Sequence, residues 1–398
     1  MTEKLYYKDS HLYNFIATVN NVVYKDGFTD IILDKTAFFP EGGGQKSDIG
    51  FIEEFKVDYV YEKDNIIYHR INGITGLHIN DIVNCRIDSE IRFLRMQAHS
   101  GEHLLSGVIH SLFNADNVGF HFDDGYVMTV DFNQMLNKEQ LKLAEIKANE
   151  YIYQNLPVIS RIYSKEELTN IDYRSKLDFP GEARIVEISG IDKCACCAPH
   201  VNYTGEIGII KLLSSQSHRG GVRITLICGK AAYDDYSDKY NQTLNIAAAL
   251  CAKHSETDIA VYNLLEANNS LRHEINLLQK KHIASLIEQL PEVPVQIEFL
   301  SDITVQHLRE FTEQLSKKSS IAAFCFIGSE TDGYSYCIFS EALTLTDFIK
   351  SFNSELNGTG GGRGTVVQGK VMSSERKIRE YIESKMVSYY ENEKKEES

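Results

Sequence analysis

No run of about 18 consecutive apolar residues, the length needed to cross a bilayer as a helix, occurs in the chain. The N-terminal stretch MTEKLYYKDSHLYNF also lacks the basic-then-apolar pattern of a secretion signal. Together these lead us to expect a cytoplasmic protein with no membrane association. Tryptophan is missing altogether, which decides nothing. An excess of positive charge is missing too: 41 Lys and Arg face 56 Asp and Glu, for a formal net charge of −15. That balance argues against non-specific nucleic-acid binding, which depends on neutralising phosphates with basic side chains. Basic residues are nevertheless grouped locally, as Arg92 with Arg95, Arg174 with Lys176, His218 with Arg219 and Arg223, and Arg363 with Lys370. A nucleic-acid partner would need these spots on one face.

What is present is ordinary for a globular chain. With 398 residues, 43% of them hydrophobic and 24% charged, the sequence predicts a real core divided among roughly two to four domains. Of the 8 cysteines, Cys194, Cys196 and Cys197 fall together, which suggests metal binding or a reducing compartment rather than a disulfide framework. Residues 10–90 alternate short apolar runs (FIATVNNVVY, DIILDKTAFF, GFIEEFKVDYVY, NIIYHRI, DIVNCRI) with turn residues at a period near two. This is the pattern of a small antiparallel barrel or sandwich. From Glu90 to Leu112 the pattern is helical, with Leu94, Leu105, Val108, Ile109 and Leu112 predicted to form one buried face. A second helix over 138–154 and strands in VISRIYS, EARIVEIS, GEIGIIKLL and GGVRITLICG complete an α+β domain.

Residues 236–289 contain no strong breaker, and Leu264, Leu271 and Leu278 fall seven apart with Ile275 between the last two. The spacing predicts a long helix or helical hairpin whose apolar stripe packs within the hairpin or across a homodimer, formed through this region or the C-terminal one. From Pro291 the order is strand (VPVQIEFL), helix (304–318), two strands (IAAFCFIG, YSYCIFS) and helix (344–356). A glycine-rich loop, GTGGGRGTVVQGK, a last helix to about 391 and a charged tail, ENEKKEES, expected to fray, complete the chain. The expected fold class is α+β multidomain: a β-barrel-like domain over 1–89, an α+β metal-binding domain over 90–235, a helical segment over 236–290 and a C-terminal α/β domain over 291–398.

The chemistry is concentrated in two short segments. MQAHSGEHLLSG places His99 and His103 at i and i+4 of the first helix, on one face and at a separation that one metal ion can bridge. Alone, such a pair is more often incidental. Some ninety residues later DKCACCAPHVNYTGEIG supplies Cys196 and His200 at another four-residue spacing, stiffened by Pro199. By spacing alone Cys194 can also ligate, and the ordinary role of either flanking cysteine is that of a small buried apolar side chain. Zinc accepts mixed imidazole and thiolate ligands, is redox-inert and acts as a Lewis acid. Bound by all four residues it is closed and structural; with one displaced, water or substrate reaches it. His99-Ser100-Gly101-Glu102-His103 also fits the H-x-x-E-H pattern of inverted zinc metallopeptidases, in which the Glu activates water. That reading leaves Cys196 and His200 without a role.

KTAFFPEGGGQKSDIG (35–50), the His99/His103 pair and CCAPHVNYTGEIG, in that order, resemble the editing domain of alanyl-tRNA synthetase and of its free-standing relatives, the AlaX proteins. This resemblance covers residues 1–235. The helical segment and GTGGGRG (358–364) resemble the C-terminal part of the same synthetase, a domain associated with DHH phosphoesterases. No aminoacylation part is recognised, so the resemblance implies removal rather than attachment of an amino acid. It implies one Zn2+ per chain on His99, His103, Cys196 and His200, with Cys196 as the aligned thiolate. Its implied substrate is alanine tRNA mischarged with serine, or with glycine as a second candidate. Thr36 matches the position that contacts the serine hydroxyl, and Gln45 is a second polar group of the pocket. Gly42, Gly43 and Gly44 let the backbone approach the adenosine or amino acid, although a flexible turn explains them as well. Glu102 is a candidate general base or a solvated helix residue, and His110 is expected to pack rather than ligate. The C-terminal glycines with Arg363 suggest contact with tRNA phosphates. Two alternatives stand beside this reading: a non-catalytic tRNA-binding module with structural zinc, and the metallopeptidase.

Overall fold

The alternating segments of the N-terminal third become strands that return on themselves. In the computed structural model, which describes residues 2–122, 126–175 and 181–396, six of them form a closed antiparallel ring. Its order is Asn14–Lys25, Phe28–Leu33, Ile66–Asn72, Phe55–Lys63, Gly50–Ile52 and Ile82–Ile87. Closure leaves no strand edge unpaired. Val19, Ile31, Leu33, Val57 and Ile67 fill the interior. Among them lies a buried polar pair: the Thr36 hydroxyl is 2.8 Å from Nε2 of His69, whose Nδ1 is 3.0 Å from the Ile31 carbonyl. A carbonyl only accepts, so Nδ1 carries the proton and Nε2 accepts from Thr36.

The helix α1 (Ser89–Phe113) follows the barrel directly. Asp88 caps it by accepting from the Ile91 N–H, and Asn114 ends it in the left-handed conformation. The expected single buried face is only part of the arrangement, because every residue from Met96 to Ile109 is buried, while Leu112 is exposed. One side is apolar: Met96, Leu104, Leu105 and Val108 pack in one core with the four-stranded antiparallel sheet and the helix α2 (Lys138–Tyr153). The other carries His99, Ser100, Glu102, His103 and Ser106, a run of buried polar side chains that must find internal partners. Two strands of the sheet, Asn117–Phe122 and Met128–Phe132, were not anticipated from the sequence pattern. Gly101 and Gly107, in mid-helix, are explained by close approach: a Cβ at Gly101 would lie 2.4 Å from the Cys228 sulfur, and one at Gly107 2.7 Å from the Asp192 Cβ.

Arg92 pins this helix to the barrel. Its guanidinium is fully buried, donates to both carboxylate oxygens of Asp48 and reaches the carbonyls of Ser10 and Ala37. Asp48 accepts in turn from the Phe39 N–H at 2.6 Å. The barrel and the α+β layers, expected as domains 1–89 and 90–235, thus fall within one unit, Met1–Asn245, although each keeps its own apolar core.

The second unit, Ile246–Ser398, holds a five-stranded sheet in the order Val295–Leu300, Ala322–Ser329, Gly333–Phe339, Val366–Val371 and Gly358–Arg363. The expected glycine-rich loop is therefore the edge strand of a hairpin. Its glycines answer a packing demand, since a Cβ at Gly360 or Gly369 would lie 2.5 Å from the Tyr336 hydroxyl. The side chain of Arg363 lies outside the described residues. The last helix runs from Glu375 to Glu396, through most of the tail expected to fray. The 236–289 region is two helices, Gly229–Ala249 and Thr257–Gln289, broken between them. Leu264, Leu271, Ile275 and Leu278 are all more than half exposed, so packing of this stripe within a hairpin is not what the chain does. Of the second helix, Ile283 and Ile287 join a core, with Leu286 packed against it. No helix of the described residues is long and apolar enough to cross a membrane.

Two outcomes follow from these buried groups. Arg92→Met leaves Asp48 charged and unpaired in the interior, and we expect a loss of about 3–5 kcal/mol in urea unfolding; a loss below about 1 kcal/mol would mean that the pair is expendable. Burial holds the His69 imidazole down at about 4, against 6.5 when free. The unfolded chain therefore binds a proton between these values that the folded one refuses, and stability contributed by neutral His69 is lost as pH falls from about 6.5 to about 4. Its full size is roughly 3 kcal/mol. Urea unfolding from pH 7 to 4.5 should show a smaller acid loss in His69→Gln than in the wild type.

Candidate metal centre and cleft

Helical geometry sets His99 and His103 one turn apart with ring centroids 5.3 Å from each other. The strand Asp192–Ala195 and the turn after it bring Cys196 and His200 against them. The His200 ring lies 4.9 Å from that of His99 and 4.6 Å from that of His103. The Cys196 sulfur is 3.5 Å from Nε2 of His99 and 3.3 Å from Nε2 of His200. One ligand atom from each of the four residues falls within 4.8 Å of every other. All three imidazoles are buried. Three imidazole nitrogens and one sulfur suit a tetrahedral zinc ion, and hard oxygen-seeking cations poorly.

Electrostatics prepare the same set. Burial, the largest effect on the Cys196 thiol, pushes it up, but His99 and His200 and the hydrogen bonds from His103 and His200 outweigh it and hold the thiol well below its ordinary range. Burial brings His200 down to about 3 and so favours its neutral form, whereas His103, against its burial, is raised well above its ordinary range by Cys194, Asp192 and Cys196. A thiolate beside a neutral imidazole is the protonation state a metal requires. The flanking cysteines differ. Burial drives Cys197 up to about 11 and raises Cys194. Neither belongs to the four-residue group, although Cys194 makes a second one with His103 and Asp192.

The ligands are oriented from behind. The Gln45 side-chain oxygen is 3.0 Å from Nδ1 of His99, which puts the proton on Nδ1 and turns Nε2 to the centre. Nδ1 of His200 meets the Ser100 hydroxyl at 3.0 Å, and that hydroxyl also accepts from the Val201 N–H. Arg184 donates to the carbonyls of Cys196 and Ala198, each at 2.9 Å, and so clamps the turn between the two C-terminal ligands. Gln45 keeps its Nε2 buried with no partner.

Above the cluster opens a cleft of about 1570 Å³, lined by His99, Glu102, His103, Cys196 and Cys197, by Gly43 and Gly44, and by Phe120, Arg174 and Arg184. Gly42 and Gln45 are mutually hydrogen-bonded across Gly43 and Gly44, both at positive φ. This is a tight hairpin turn that only glycine makes cheaply. A Cβ at Gly44 would also lie 2.9 Å from Phe120. These glycines form a fixed turn, not a flexible one.

Several sequence expectations need correction. Thr36 does not line the cleft: it is fully buried in the barrel with its hydroxyl committed to His69 and to the Phe38 N–H. Glu102 is not solvated. Only 4% exposed, it accepts from Ser106 at 2.6 Å and from Asn117, and the donors that join the His99/His103 pair are Cys196 and His200 rather than a distant Glu. His110 faces solvent and pairs with Asp116 instead of packing. Among the basic spots, Arg92 is buried on Asp48, Arg174 is paired with Asp192 at 2.6 Å and Arg223 with Asp131 at 2.6 Å. Lys176 lies outside the described residues. Ser100, Asp48 and Asp192 were missed, and no local signal marks them; only their buried partners do.

Two family models match the chain: "tRNA synthetases class II (A)" over residues 3–91 and "Threonyl and Alanyl tRNA synthetase second additional domain" over 183–225. The chain is 26% identical to the alanyl-tRNA editing protein AlaX-L of Pyrococcus horikoshii, with 98% of this chain and 99% of that one aligned. It is 28% identical to the alanine–tRNA ligase of Methanobrevibacter smithii over 92% of its own length, but spans only 44% of that protein. Among solved structures, the C-Ala domain of Aquifex aeolicus alanyl-tRNA synthetase covers 25% of the chain at 14% identity and a TM-score of 0.22, too slight a likeness to bear on the fold. With AlaX-L aligned nearly end to end and the two models matching residues 3–91 and 183–225, the chain is similar to the AlaX type over its whole length.

Proposed function

We propose that the chain is a zinc-dependent aminoacyl-tRNA hydrolase acting in trans on alanine tRNA that carries serine, with glycine a second candidate. The observation that carries this reading is the convergence of His99, His103, Cys196 and His200, the first three of which line an open cleft. At about 1570 Å³ the cleft exceeds the roughly 300–1,000 Å³ of most small-ligand pockets and suits the aminoacylated end of a large substrate. The editing activity in the name of the P. horikoshii relative supports the same assignment.

A zinc ion held by these four residues would supply Lewis-acid polarisation of an ester carbonyl or of an attacking water. The protein's own groups do the rest. Gly43 and Gly44 present bare backbone to the cleft, so the substrate can come closer than any side chain would allow. Gln45, fixed through its oxygen to His99 and 1% exposed just behind the cleft wall at Gly43 and Gly44, holds Nε2 as a spare buried donor beside the cluster. An unpaired buried donor costs about 1–3 kcal/mol, which an oxygen on the substrate would recover. A serine hydroxyl offers that oxygen and alanine does not. Selection by a placed polar partner discriminates far better than an apolar pocket can against one added hydroxyl.

The test is hydrolysis of serine-charged and alanine-charged alanine tRNA side by side, before and after zinc removal. We expect the seryl ester to be preferred by at least about 100-fold and its loss to require zinc. Bound zinc with no hydrolysis of either ester would instead support a tRNA-binding module with structural metal. Cys196→Ala should lower zinc content and hydrolysis together; full zinc and full activity in that variant would transfer the thiolate role to Cys194 or Cys197.

A further inference from the structure

Two of the three histidines have neutral partners at Nδ1, Gln45 for His99 and Ser100 for His200. His103 differs. Its Nδ1 is buried with no hydrogen-bond partner, and the group facing it is the Asp192 carboxylate, Oδ2 at 3.4 Å. We propose that Asp192, clamped by Arg174, is a positioning residue that fixes the His103 ring with Nδ1–H outward and Nε2 on the metal centre, and thereby sets the affinity for zinc. The inference rests on the reading of the cluster as a zinc site.

Two observations carry it. First, the carboxylate is held before any metal arrives: Arg174 donates from Nε to Oδ1 at 2.6 Å and from Nη2 to Oδ2 at 2.8 Å. This two-pronged pair leaves the remaining lone pair of Oδ2 for His103. Second, α1 gives up a side chain to let Asp192 in. Gly107, one turn beyond His103, would place a Cβ 2.7 Å from the Asp192 Cβ and 2.9 Å from the Ile191 carbonyl. A mid-helix glycine costs about 0.5–1 kcal/mol relative to alanine, so its presence marks a contact the fold requires.

A different use of the same residues is a second cation on His103, Asp192 and Cys194, whose ligand atoms also lie within 4.8 Å of one another. Arg174 argues against it. Its guanidinium already bonds both carboxylate oxygens and neutralises the one anionic oxygen ligand such a cation would have.

The experiment is zinc stoichiometry and affinity of the full chain by chelator competition, in wild type, Asp192→Asn and Arg174→Gln. Both variants break the ion pair, but only the first removes the charge facing His103. We expect one zinc per chain throughout, an affinity lowered about 10–100-fold by Asp192→Asn, and a much smaller change in Arg174→Gln. Equal loss in both variants would reduce Asp192 to a structural ion pair and overturn the inference, as would unchanged affinity in Asp192→Asn. Two zinc ions in the wild type falling to one in Asp192→Asn would overturn it in favour of direct ligation. If wild type binds no zinc, the metal-centre reading falls and takes this inference with it, a result distinct from a zinc-loaded wild type indifferent to Asp192. Should Asp192→Asn not fold, the double variant Arg174→Gln/Asp192→Asn leaves neither charge buried alone and supports the same comparison.

Discussion

The Arg92–Asp48 pair sits where the barrel meets α1, with both side chains shut off from water. Such a pair is a poor source of net stability, because removing two charges from water costs several kcal/mol per ion and their attraction only repays it. What it supplies is register. Asp48 follows Gln45 by three residues, and Arg92 precedes His99 by seven, about two helical turns. Fixing one pair therefore fixes the other, and the Gln45 oxygen arrives 3.0 Å from Nδ1 of His99. The additional bonds to the carbonyls of Ser10 and Ala37 tie the N-terminal loop and the approach to the glycine turn to the same guanidinium. Without it the barrel loop and the helix would each fold, yet the loop would have no reason to stop at that angle.

The same logic extends to the remaining ligands. His99 is oriented from the barrel loop, His200 by the hydroxyl of Ser100 on α1, and the backbone around Cys196 by Arg184 on the strand Ala183–Ile188. Each partner comes from a different element. The centre is therefore complete only when barrel, helix and three-stranded sheet are all docked, which explains why a single unit encloses parts that look like separate domains in sequence. It also explains a helix buried on all sides: its apolar face makes the core, and its polar face is satisfied by the neighbours that build the site.

What could be read in the sequence was local. Two histidines at i and i+4 need only a helix, and the apolar spacing over Glu90 to Leu112 falls within a residue of the observed Ser89–Phe113. What could not be read was long-range. Thr36 lies in a two-residue strand, Lys35–Thr36, too short for alternation to say which way the hydroxyl points, and it points at His69. Asn117–Phe122 reads NVGFHF, with a glycine inside it that suggests a turn; a Cβ at Gly119 would lie 2.8 Å from the Asp131 carboxylate on the next strand. The glycines at 358–362 misled in the same way. Glycine marks turns locally, but in a sheet it also marks close approach, here to Tyr336, and only the tertiary structure separates the two meanings.

Charge was the most misleading signal. Arg92, Arg174 and Arg223 sit beside other cations in the sequence and look like phosphate ligands, yet each is spent on an aspartate, and Arg92 is fully buried. These arginines build the site instead of extending the surface. The net charge of −15 is therefore not offset where a sequence reading would place the compensation. For a polyanionic substrate of the kind proposed, Arg174 and Arg184 line the cleft but are already committed to Asp192 and to the carbonyls of Cys196 and Ala198, so the bare backbone at Gly43 and Gly44 and the metal centre carry more of the recognition of the acylated end.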